Sequence, residues 1–227
     1  MAGFFQASFD MLAALEANNN KAWYDEHKAD LKTLVRDPFA GMLGVASALL
    51  EGSRYPVIGS EKTMFRQNRD IRFSKDKTPY KTTVSGMLTP SGTKGEMGGV
   101  VYAQIGPTEG FLAAGHYQIP TAALNRVRDR IVETPEAFAA MVDALEAKGY
   151  ALSRENSLKT MPRGFQQHAD APFADFLRLK NYVTSAPQPK AVWLNGDIVE
   201  RIVHLAEAIG PLNAWVREAM VERAGAH

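Results

Sequence analysis

Six cations crowd into seventeen residues of this sequence. Arg66, Arg69, Arg72, Lys75, Lys77 and Lys81 stand against two carboxylates, Asp70 and Asp76, so residues 65–81 carry a local charge of +4 while the rest of the chain sums to −3. Guanidinium forks and ammonium groups at this density suit a phosphate or carboxylate ligand, and Asp70 can orient neighbouring forks through paired hydrogen bonds. A regular strand here projects Arg66, Asn68, Asp70, Arg72 and Ser74 to one face. Arg69 then shares the other face with Phe65, Ile71 and Phe73, where its charge needs a carboxylate or the strand must bulge. Arg163, framed by Pro162 and Gly164, is a second anchor, because that frame fixes the direction of a loop side chain. The expected site is an anion-binding pocket in which Arg163 meets the basic strand and loop.

Two residues are candidates for proton transfer, His116 and Asp76. Neither comes with a recognisable partner set, so the sequence leaves open whether the protein is an enzyme. No metal site is expected: histidines at metal-binding helical spacing are absent, and with no cysteine there are no thiolate ligands and no disulfides. No cofactor is expected either, since the chain lacks a nucleotide P-loop and its glycine-rich tip at 92–99 misses the dinucleotide spacing. Two other readings compete with the small anionic ligand. One is a binding module for RNA or an acidic protein partner, with Tyr80 and Tyr102 beside the cations. The other is a purely structural ion-pair network. Nucleic acid ranks second, because 26 basic against 25 acidic residues leave a net charge of only +1.

The rest of the chain must position these groups. Its 227 residues, 45% hydrophobic and 22% charged, suffice for one compact α+β domain. The expected organisation is helical over 1–55, sheet over 60–120 and mostly helical over 121–227, an antiparallel meander packed against N-terminal and C-terminal helices. Asn18-Asn19-Asn20 offers cap oxygens to a helix that ends before Asp37-Pro38, where the next begins. Strands are expected at 64–73, 80–88, 99–105 and 111–119. In the last, Phe111, Ala113, Gly115, Tyr117 and Ile119 alternate with Leu112, Ala114, His116 and Gln118, so one face packs on helices and the other is partly open. A short helix at 173–179 and a strand at 181–185 interrupt the later part, followed by helices at 197–209 and from Pro211. No secretory leader or transmembrane span is read, so a cytoplasmic location with no membrane partner is the expectation. Oligomeric state is not legible.

Arg69-Asp70-Ile71-Arg72-Phe73-Ser74-Lys75-Asp76-Lys77-Thr78-Pro79-Tyr80-Lys81 resembles the signature of the family called domain of unknown function 2461. Asn18-Asn19-Asn20 before Trp23, the strand end from Gly115 to Pro120, and Leu158-Lys159 through Pro162-Arg163-Gly164-Phe165 extend the resemblance, with departures at Gln67 and Thr83. The resemblance implies one compact α+β unit and brings no established activity or catalytic residue.

Overall fold

The computed structural model describes residues 3–96 and 98–221. Helices α1 (Gln6–Ala17), α2 (Lys21–Leu31) and α3 (Asp37–Leu50) lead into strands β1 (Val84–Leu88), β2 (Gly98–Ile105) and β3 (Glu109–His116). Helices α4 (Thr121–Glu133), α5 (Pro135–Glu146) and the short α6 (Ala174–Leu177) follow, then β4 (Tyr182–Pro189), α7 (Lys190–Leu194) and α8 (Ile198–Met220). The four strands form one antiparallel sheet in chain order. This is the expected α+β class with helices from both ends of the chain.

Period-two alternation decides which face is covered. Val84, Leu88, Val101, Ala103, Ile105, Leu112, Ala114 and Tyr182 are buried in a cluster that includes Phe39, Leu43, Trp193, Ile209 and Leu212 from the helices. Ala113, Tyr102 and Phe111 point to the opposite face, which carries no helix layer. Ser185 and Pro187 lie in register with Ala113 and Phe111 there.

Three departures from the sequence reading have physical causes. The first expected strand, 64–73, is a loop that meets β1 at its start, through the Met64↔Gly86 bridge and the Phe65 N–H to the Ser85 carbonyl, and then bridges only to its own return, Asn68↔Tyr80. Four charged residues between 66 and 72 leave it no continuous apolar face to bury, and its N–H and C=O groups are met by scattered backbone partners and by side chains. The sheet's fourth strand is instead β4, which runs beyond 181–185 to Pro189 along β3.

Asp37 does not start a new helix, because α2 and α3 join through a π-helical turn, Lys32–Arg36. The wider turn accommodates Pro38, whose ring would otherwise press on a preceding carbonyl. The resulting helix, Lys21–Leu50, is long and apolar enough by length and composition to cross a membrane. Its residues Val35, Phe39, Met42, Leu43, Ala46 and Leu50 are all buried in the core. Likewise α8 continues through Gly210 and Pro211 without a break. Pro211 sits on the exposed side, where the carbonyl it frees can be hydrated.

Candidate functional site

The basic loop is braced from within. The Arg69 guanidinium donates to the Asp76 carboxylate and to both the hydroxyl and the carbonyl of Thr78, the last at 3.1 Å. The Thr78 N–H in turn donates to Asp76 Oδ1 at 2.9 Å. Arg72 forks onto Asp70 through Nε at 3.0 Å and Nη2 at 2.7 Å. Lys77 Nζ reaches the Ile71 carbonyl at 3.0 Å. Hydrogen bonds from the Thr78 backbone, Arg69 and the Thr78 hydroxyl hold the Asp76 carboxyl at a pKa of about 2, so it stays ionised. Asp70 is also held below its ordinary value, chiefly by Arg72.

Residues outside the loop fix its base. Asn19 closes a pair of hydrogen bonds with the Tyr80 backbone, 2.9 Å to its carbonyl and 3.1 Å from its N–H, while Tyr24 stacks on the Tyr80 ring at 3.8 Å. Asn20 caps α2 by accepting from the Trp23 N–H at 3.0 Å. Buried Gln67 donates its amide to the carbonyls of Lys81 and Thr83. Replacing Arg69 with Met should therefore loosen the loop alone. Trypsin cleavage after Lys75 or Lys77 is expected to rise about tenfold, while the melting temperature falls by only a few degrees. Unchanged cleavage would mean that the loop is held without Arg69.

Pairing divides the six cations into two groups. Arg69 and Arg72 neutralise the two carboxylates. Arg66, Lys75, Lys77 and Lys81 form no ion pair among the described residues. Lys81 is half-buried, with its ammonium 5.5 Å from the centre of the Phe65 ring. Burial and the nearby charge of Arg66 push its pKa down. At the tip, Phe73 is 95% exposed.

Arg163 and His116 are not brought to this loop. The loop lies along β1, with the Phe65 N–H donating to the Ser85 carbonyl. Arg163 is exposed in a segment that packs toward the other edge of the sheet, where Arg128 of α4 holds the Leu177 and Leu179 carbonyls and Ser153 N–H meets the Val183 carbonyl. His116 is 1% exposed on the helix-covered face, and its Nε2 donates to the Asn213 carbonyl of α8 at 3.0 Å. Burial pushes its pKa down to about 4. The expected convergence of Arg163 with the basic loop is thus replaced by separation across the sheet, because the intervening strands pair in chain order.

A different hollow does meet the loop. Over the uncovered sheet face lies a depression of about 400 Å³, walled by Phe65, Met87, Val100, Tyr102, Phe111 and Ala113. Tyr117 borders this groove and two neighbouring hollows of about 630 and 570 Å³. Phe65, Tyr102 and Phe111 are spaced at 6.1 and 5.5 Å between ring centres. Gln118 and Asn156, the two described non-glycine residues with positive φ, both line the far hollow, with Asn181 Oδ1 accepting from the Gln118 N–H at 2.7 Å. Such backbone strain concentrates at functional sites. The partly open face was readable from alternation. Gln67, Asn19 and the groove were not, since they depend on contacts between distant segments.

Among the described residues no group of three or more His, Asp or Glu is arranged to hold a metal ion. Comparison with curated proteins and with solved structures brings no match. A family model does match, over residues 7–215, which include the whole sheet and the braced loop. The chain belongs to the family described as conserved hypothetical protein (DUF2461).

Proposed function

We propose that the protein binds a small anionic ligand whose phosphate or carboxylate group meets Lys81 and Arg66 and whose apolar part lies in the groove over Phe65 and Tyr102. The observation that carries this reading is the position of Lys81. Its ammonium stands over the Phe65 ring, which walls the groove, and has no carboxylate partner among the described residues. A partly buried cation without an acid beside it is stabilised by an incoming anion, and a charge-assisted hydrogen bond there contributes about 1.5–3 kcal/mol. Lys75 and Lys77 add to the field that draws an anion toward the loop. Binding fits better than catalysis. His116 lies on the opposite face of the sheet, and Asp76 is committed to Arg69 and Thr78.

Phenyl phosphate is a suitable probe, because it joins a phosphate to an aromatic ring. Calorimetry is expected to show it binding at least tenfold more tightly than inorganic phosphate, and the Lys81→Met, Arg66→Gln double variant is expected to weaken it by a further tenfold or more. Equal affinity for wild type and double variant, or no binding of phenyl phosphate, overturns the reading.

The aromatic series Phe65, Tyr102 and Phe111 favours one second reading, a single RNA strand stacked on the sheet face. Its signature is a steep fall in oligonucleotide affinity with salt, whereas a ligand with one phosphate has a shallow slope. For Arg69, Asp70, Arg72 and Asp76 the internal pairs support a structural role.

A further inference from the structure

On the helix-covered side of the sheet, across β2 from the groove, another hollow of about 250 Å³ opens between β2, α8 and the segment after α3. Arg54 and Arg217 line it, together with Tyr55, Gly99 and Asn213. No Asp or Glu is among its walls, and neither arginine forms an ion pair with a described residue.

Two glycines build the hollow. Gly99 sits at the bulge in β2 with φ +70, and a methyl on it would stand 2.5 Å from Arg217 Nη2. The guanidinium therefore packs directly on the strand backbone. Gly210 plays the same part in α8: a methyl there would stand 2.3 Å from the Tyr55 ring, which brings Tyr55 and its neighbour Arg54 up to the helix. Gly210, Asn213 and Arg217 follow at steps of three and four and so share one helix face. Asn213 is only 6% exposed, and its side-chain oxygen has no donor among the described residues. Buried polar atoms are rarely left so in native proteins.

We propose that this hollow is a second anion site, which holds a small phosphate group, in its hydrogen phosphate form, between the Arg54 and Arg217 guanidinium groups. The two forks supply paired donors in the planar geometry that phosphate oxygens accept, and the unmet Asn213 oxygen selects a phosphate that keeps one hydroxyl over a fully deprotonated anion such as sulfate. Nothing in this arrangement depends on Lys81 or the basic loop.

The test uses inorganic phosphate and, in parallel, sulfate, titrated into ¹⁵N-labelled protein at low salt in the Lys81→Met, Arg66→Gln background, so that failure here is separable from failure of the groove reading. The Gly99 amide and the Arg217 Nε–H resonances are expected to shift and saturate together with phosphate, with sulfate at least fivefold weaker. Arg217→Gln and Arg54→Gln, both substitutions of exposed side chains, should each reduce phosphate affinity about tenfold or more. Gly99 and Arg217 resonances that do not respond to phosphate, or an Arg217→Gln variant with undiminished affinity, overturn the site. Equal affinity for sulfate overturns the part assigned to Asn213.

Discussion

Gly115→Ala is expected to destabilise the protein by about 3–5 kcal/mol, the sum of an overpacked contact and a strained backbone. Gly115 has φ +130, and a methyl there would stand 2.0 Å from the Tyr182 carbonyl oxygen and 2.9 Å from the Val183 Cα. Neither neighbour can give, because both are backbone of β4, paired to β3 in register. A drop of roughly 10 °C in melting temperature follows for a chain of this size. Gly149→Ala is the control. Its φ of +86 is equally unsuited to alanine, yet nothing stands within 4 Å, so only a cost of about 1 kcal/mol is expected. Similar melting temperatures for the two variants would show that β4 yields at Gly115. Because Gly115 also lines the groove, the alanine variant should lose phenyl phosphate binding even where it remains folded.

The second large effect is on acid stability. His116 has a folded pKa of about 4 against an ordinary value of 6.5. Its surroundings are the Asn213 carbonyl, which favours the proton, the Arg217 charge, which opposes it, and Glu96, which favours it weakly; burial outweighs them all. The unfolded chain therefore binds more protons than the folded one between these two values. The contribution is complete above pH 6.5, declines as pH falls, and is lost by about pH 4, a change of about 3 kcal/mol. Urea midpoints measured from pH 7 to pH 4.5 should record most of it. His116→Gln keeps an N–H for the Asn213 carbonyl but does not titrate, so its urea midpoint should change far less over the same range. If the glutamine variant retains the full slope, other groups carry it.

How much of this was legible follows from which interactions are local. Alternation along 111–117 correctly separated the helix-covered residues Leu112, Ala114 and His116 from the open-face residues Phe111, Ala113 and Tyr117. It set His116 on the face opposite Tyr117, but nothing local indicated that α8 would seal it. The segment 64–73 was misleading because its alternation is real while its partners are not strands: Arg69 turns back to Asp76 and Thr78 instead of entering an apolar face. The basic cluster was plain from residue types, but which cations stay unpaired depends on the loop closing on itself. Asn19 and Tyr80 meet across 61 residues, a contact that no periodicity announces. The π turn at Lys32–Arg36 is equally hidden, since an Asp-Pro pair ordinarily marks a boundary between helices.

The sheet's two rims have a consequence for self-association. An exposed row of backbone donors and acceptors invites strand addition by another copy of the chain. Here Ile58, Met64 and Phe65 already occupy hydrogen-bonding positions along β1. On the other rim Ser153 takes the Val183 carbonyl, and Pro187 and Pro189 have no N–H to offer. Polymerisation through edge-to-edge pairing is thus blocked at both ends, which lets the sheet leave one whole face uncovered without templating fibres.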